Sequence, residues 1–223
     1  MIRWSRYLPL SLLALIACGC EPAPAAPVAS PASPGPPAAA RRPLALSRIP
    51  QAALRWQRTL TREVRLYWGL SQPVAIFAAQ IHQESTWRPD ARSSHAAGLG
   101  QQTLVTEKWL AEIFPADLGD GKGALDPHWS IRALVMYDRK LWSGRQSAAS
   151  DEHRWGFTLA DYNGGSGWVN KETLLARRSG ADATRWFCGV EHYRVRGQAA
   201  WTENRAYPAR ILRTLRPLYE AWG

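Results

Sequence analysis

Residues 73–89 read PVAIFAAQIHQESTWRP, and the spacing within this stretch decides the fold class. Val74, Phe77, Ala78 and Ile81 recur at intervals of three and four residues, the period of a helix with an apolar face. Pro73 stands at the entry, where a helix tolerates proline, and Arg88-Pro89 disfavours helical geometry at the exit. Outward from here the same period returns. Ile131, Leu134, Val135, Leu141 and Trp142 form a second stripe, with Ser130 as its expected N-cap and Asp138 interrupting its register. Trp155, Leu159 and Tyr162 make a third. Ile211, Leu212, Leu215, Leu218 and Tyr219 make a fourth, which Pro217 is expected to kink or end. Few runs alternate polar with apolar residues, and no solenoid-length repeat is visible. The reading is one all-α domain over residues 43–223.

Composition sets the outer limits. The chain has 223 residues, 46% of them hydrophobic, with aliphatic and aromatic side chains throughout, which excludes collagen-like and wholly disordered readings. Lys and Arg number 28 against 18 Asp and Glu, and the net charge of +10 suggests an acidic partner: nucleic acid, anionic lipid or an acidic polymer. Neither a helix-turn-helix nor an RNA-recognition signature is present, so nucleic acid is not the expected partner. The 12 Trp residues tilt the reading toward flat, stackable substrates, although most are expected in the core. Three Cys are too few for a disulfide framework.

The amino-terminal end reads as an export segment over residues 1–20. Arg3 and Arg6 precede an apolar run from Leu8 to Ala17, about ten residues long and too short to span a bilayer. It ends Leu15-Ile16-Ala17-Cys18, which resembles a bacterial lipoprotein signal with Cys18 as the lipidated residue; Cys20 is the weaker competitor. Residues 21–42 are almost all Ala, Pro, Ser and Gly, a linker unable to bury enough surface to order itself. In polyproline geometry, roughly 20 such residues reach on the order of 60 Å. The expected location is periplasmic, held by a lipid anchor, at the outer membrane rather than the inner. With Cys18 lipidated, Cys188 is expected as a buried free thiol.

Three places carry candidate chemistry. Glu84 falls on the edge of its helix's apolar face in the last turn, where desolvation and the negative end of the helix dipole both raise its pKa, toward ~6. Ala96-Ala97-Gly98-Leu99-Gly100-Gln101-Gln102-Thr103 combines glycines that allow close backbone approach with amide side chains suited to sugar hydroxyls. Asp161-Tyr162-Asn163-Gly164-Gly165 closes a helix with a tight exit. In isolation each has a plain alternative: a solvated surface acid, a conformational glycine turn, a helix C-cap. No zinc spacing links His82, His95, His128, His153 and His192, and no cofactor is expected; His82 is expected to pack or hydrogen-bond along its helix.

In this order the three motifs resemble those of the SLT-type lytic transglycosylases, relatives of goose-type lysozyme. The resemblance runs from about Pro73 to Ile211 and implies a lysozyme-like helical domain acting on peptidoglycan. It implies Glu84 as the catalytic residue, followed by Ser85. Gly98, Leu99, Gln101, Tyr162 and Asn163 fall on its substrate-binding positions, as do Glu203 and Tyr207 from Glu203-Asn204-Arg205-Ala206-Tyr207. Leu125-Asp126-Pro127 and Ser130-Ile131 match its segment opening a helix. The family reaction uses one carboxyl as acid and then base, forming a 1,6-anhydromuramoyl end without water. Ser85, Gln101, Tyr162 and Asn163 are then expected to hydrogen-bond Glu84 and the substrate acetamido group.

The sequence departs from the family pattern at several places. Gly100 replaces a usual Met, His95 a usual Gly, Asp161 a usual Ala, and Asn204 a usual Thr. Asp161 is read as touching substrate or solvated, and residues 187–200 have no counterpart. A hydrolytic muramidase with Glu203 or Asp161 as second carboxylate and a non-catalytic wall-binding lipoprotein remain the alternatives. The chain is read as a monomer.

Overall fold

The structure, a computed structural model, describes residues 49–223. The signal-like segment, Cys18, Cys20 and the linker 21–42 lie outside the described residues. Helix α1 (Gln51–Trp68) buries Ala53, Trp56, Leu60 and Val64. It packs on α2 (Val74–Ser85) and α5 (Pro127–Ser143). Helix α2 is more central than an amphipathic stripe implies, because every residue from Val74 to Ile81 is buried. Its other sides meet the carboxy-terminal segments, and a helix apolar nearly all round is the one a core forms about. Among the described residues no helix is long and apolar enough to cross a membrane.

The glycine-rich motif is a tight hairpin. Strand β1 (Ala96–Ala97) pairs antiparallel with β2 (Gln102–Thr103), Ala96 opposite Thr103. Thr103 then caps α3 (Leu104–Ile113), its hydroxyl accepting from the Thr106 amide at 3.1 Å. A short α4 (Pro115–Leu118) follows. At the start of α5 the N-cap is Asp126, whose carboxylate accepts from the Trp129 amide at 2.9 Å, and Pro127 occupies the first turn. The expected cap, Ser130, is therefore inside the helix, because Asp-Pro already supplies the acceptor and the preset φ. Asp138 does not break the stripe; it is fully buried within it.

Helices α6 (Asp151–Gly164) and α7 (Ser166–Arg178) meet at Gly165, whose φ of 83° makes the turn. Helix α8 (Gln198–Ala209) passes into a π-helical stretch (Arg210–Leu215) and a 3₁₀ stretch (Arg216–Trp222). Pro217 lies in the first turn of the last stretch, so the chain changes its helical pitch there rather than ending. Ile211, Leu212, Leu215 and Tyr219 are buried as the fourth stripe requires. Most Trp side chains are also in the core, whereas Trp168 is exposed.

Residues 187–200 are fastened to the fold by charge. Glu172 of α7, fully buried, accepts from Arg196 Nε and Nη2 at 2.9 Å each and from Arg205 Nη2 at 2.7 Å. Cys188 is partly exposed, not buried as expected, because its φ of 56° turns the chain beside Glu191, which accepts its amide at 2.7 Å. Glu172→Gln removes the carboxylate that bridges the buried guanidinium groups of Arg196 and Arg205. It should cost about 3–5 kcal/mol, read as a lower urea midpoint at pH 7.

Candidate active site

Glu84 sits in the last turn of α2, which is terminated by two consecutive left-handed residues, Thr86 (φ 51°) and Trp87 (φ 63°). Such conformations cost free energy in non-glycine residues and need support from packing. Here it comes from Trp87, fully buried, whose indole donates to the Tyr219 hydroxyl at 2.8 Å. The same hydroxyl meets His82 Nδ1 at 2.9 Å, so His82 is tied to the carboxy-terminal segment rather than along its own helix. The chain thus turns sharply after Glu84, a residue that is itself only partly buried.

The phenol of Tyr207, from α8, donates a hydrogen bond to Glu84 Oε1. Burial is the leading influence on the carboxyl and raises its pKa from 4.5 to about 8; the Tyr207 bond opposes the rise and the Glu203 carboxylate adds to it. That is higher than the ~6 expected from partial desolvation and the helix dipole together, because burial is the largest cause. At neutral pH Glu84 therefore carries its proton, the state required of a general acid.

Around it, the hairpin loop is held from below. Tyr162 donates to the Gly100 carbonyl at 2.7 Å and accepts from Gln102 Nε2 at 3.3 Å. Ser130 donates to Gln102 Oε1 at 3.0 Å and accepts from the Gly100 amide at 3.0 Å. Gly98, at φ 77°, lies so near the Ala124 carbonyl that a Cβ would come within 1.7 Å of its oxygen, and Leu99 is fully buried. Gln101 (φ 47°) turns its amide inward, onto the carbonyls of Ala91 (3.1 Å) and Gly98 (3.0 Å). Asn163 Oδ1 accepts from Asn204 Nδ2 at 3.1 Å, and Asn204 in turn accepts from Arg205 at 2.6 Å.

The expected partners of Glu84 are corrected by this geometry. The Ser85 hydroxyl is buried and donates to the Ile81 carbonyl of its own helix at 3.2 Å. Gln101, Tyr162 and Asn163 bond loop and helix atoms, and Tyr207 holds the acid instead. Asp161 is neither solvated nor free for substrate: it is buried and forms an ion pair with Arg145, Nε to Oδ2 2.6 Å. Glu203 is exposed, near enough to Glu84 to act on its charge. Gln102, Ser130 and Asn204 are the structural contributors that the motifs concealed. Gln101 and Gln102 are adjacent and of one type, and a pattern of types does not tell which amide meets Tyr162.

A model of the Transglycosylase SLT domain matches residues 68–184. The chain belongs to this family. Similar proteins include the membrane-bound lytic murein transglycosylase F of Shewanella halifaxensis, 34% identical over 110 residues, which are 49% of this chain and 21% of the relative. The protein of the same name from Vibrio cholerae is 32% identical over 112 residues, 50% of this chain and 19% of the relative. The chain therefore spans about a fifth of the length of the relatives it matches. Tyr207 and Glu203 lie beyond the matched SLT segment, and α8 nevertheless brings Tyr207 onto Glu84.

Because folding raises the Glu84 pKa above its unfolded 4.5 to about 8, the native SLT domain holds this proton more tightly than the unfolded chain. The associated stability is complete below the unfolded value and is lost as pH rises through the folded one. Glu84→Gln should therefore be more stable than wild type at pH 9, by on the order of 5 kcal/mol, with the gain vanishing near pH 4. Paired denaturation curves at the two pH values measure this difference.

Proposed function

We propose that this chain is a peptidoglycan lytic transglycosylase that cleaves the β-1,4 bond between N-acetylmuramic acid and N-acetylglucosamine. The observation that carries the reading is a desolvated Glu84, bonded by a phenol, at the end of a buried helix in an SLT domain. Glu84 gives its proton to the glycosidic oxygen, and the bond from that oxygen to C1 of the muramic residue breaks. The muramic N-acetyl group stabilises the cationic centre. The Glu84 carboxylate then takes the proton of the O6 hydroxyl on the same sugar as O6 bonds to C1. The proton balance closes with a 1,6-anhydro ring and no water consumed.

Tyr207 serves the middle of this cycle, because a hydrogen bond donated to a carboxylate favours the charged form. The loop from Gly98 to Gln101, with Tyr162 and Asn163 beside it, is assigned to the acetamido and hydroxyl groups of the glycan. Their internal hydrogen bonds fix that surface before substrate arrives. Ser85 contributes by holding the last helical turn, and Glu203 by its charge near Glu84. The net positive charge suits a polymer bearing lactyl and peptide carboxylates. We also assign Cys18 as the lipidated residue of a periplasmic, outer-membrane lipoprotein. The membrane-bound names of the relatives and the sequence before Cys18 support this, and palmitate labelling that disappears in Cys18→Ala tests it.

Purified sacculi digested with the protein should release muropeptides with anhydro ends, identified by mass. Reducing ends would make it a hydrolase, with Glu203 as the second carboxylate. Glu84→Gln should lower release by at least about 10³-fold. Since the acid must be protonated to begin, kcat/KM should fall as pH rises through about 8. Tyr207→Phe should reduce kcat about 10-fold and move that fall to higher pH, because the carboxylate loses its donor.

A further inference from the structure

One buried acid has no place in that cycle. Asp138 and Gln80 are both fully buried, on α5 and α2, and Gln80 Nε2 donates to Asp138 Oδ1 at 3.3 Å. The two remaining oxygens, Asp138 Oδ2 and Gln80 Oε1, have no hydrogen-bond partner among the described residues. Two acceptors orphaned on side chains already joined by a hydrogen bond form a pattern that one proton resolves. A carboxylic acid with its proton on Oδ2 donates to the amide Oε1 while accepting from Nε2, and both orphans are satisfied.

The other fully buried acids among the described residues show the contrast. Glu63 is met by Arg62 and Arg132, Asp161 by Arg145, and Glu172 by Arg196 and Arg205. Asp138 has only an amide. A buried carboxylate without a cation carries a desolvation cost that a neutral acid avoids. The groups facing it add no positive charge: Glu84 on α2, Tyr162 on α6, Tyr207 on α8, and Tyr137 on its own helix. Gln80 is four residues before Glu84, one turn down the same helix.

We propose that Asp138 is a positioning residue that keeps its proton throughout the working pH range, closing a neutral acid–amide pair with Gln80 beneath Glu84. The pair locks α2 to α5 one turn from the reacting carboxyl. It also leaves Glu84 as the acid of the site that changes charge. If Asp138 were ionised as well, its negative charge would oppose the carboxylate that Glu84 must become halfway through the reaction. The second consequence rests on the role proposed for Glu84, whereas the protonation of Asp138 does not.

The test is infrared spectroscopy of the full chain with carbon-13 at every aspartate carboxyl, which distinguishes Asp from Glu without requiring a substitution to fold. At pH 7 the carbonyl stretch of one un-ionised carboxylic acid should shift on labelling, and it should be absent from Asp138→Asn. A protein with no such aspartate band, or one whose band survives in Asp138→Asn, overturns the proposal. Asp138→Asn keeps a neutral partner for Gln80, so the upper limb of the pH–rate profile should stay within about 0.3 pH units of wild type. A shift of that limb to lower pH would mean that a negative charge had been removed, and would also overturn it. If the band is present but no glycan is cleaved, the reading of Glu84 fails and the Asp138 proton stands.

Discussion

An acid left without a counter-ion, in a chain with a large excess of Arg and Lys, is the constraint on which the rest of this structure depends. Glu63, Asp161 and Glu172 are each neutralised by guanidinium groups. Glu84 is given a phenol, Tyr207, and stands near another carboxylate, Glu203. A cation beside Glu84 would hold it ionised and unable to donate a proton. The cations nearest the buried acids instead meet Glu63, Asp161 and Glu172 in ion pairs. Three of these arginines also fasten parts of the framework, Arg145 to α6 and Arg196 and Arg205 to α7.

The framework and the site are continuous. Glu172 holds Arg205, Arg205 donates to Asn204, and Asn204 donates to Asn163 beside the loop. On the other side, Ser130 holds Gln102, which donates to Tyr162, and Tyr162 ties down Gly100. Apart from the Arg205–Asn204 bond within α8, both routes consist of side-chain hydrogen bonds between elements distant in sequence. Residues 187–200, which match no segment of the family pattern, enter the first route through Arg196 on Glu172. The departure of Asn204 from the family's Thr belongs to the same route, since an amide both donates and accepts where the network needs it.

Much of the helical organisation was legible from spacing. The stripes through Phe77, Leu134, Leu159 and Leu215 are buried, because periodicity reports directly which side of a helix leaves water. The start of α5 lies four residues before the expected cap Ser130, because the Asp126 carboxylate takes the Trp129 amide and Ser130 is engaged with Gln102 instead. Asp138 was read as a flaw in a stripe. A buried acid is tolerated when a partner such as Gln80 arrives from another helix, and that partner is invisible in the pattern of α5.

The sequence by itself determined the all-α class, the helix over residues 74–85, the position of Glu84 at that helix's end and the family that these motifs belong to. These are local properties, set by apolar period, by proline and by residue type at short spacing. The tertiary structure alone decided that Tyr207 rather than Ser85, Gln101, Tyr162 or Asn163 holds the acid, that Asp161 is spent on Arg145, and that Asp138 lies beneath the site. Those outcomes depend on which side chains meet across 123 residues, in the case of Tyr207 and Glu84, or 58, in the case of Asp138 and Gln80. Hydrogen bonds and desolvation act through distance in space, and the order of residues along a chain does not contain it.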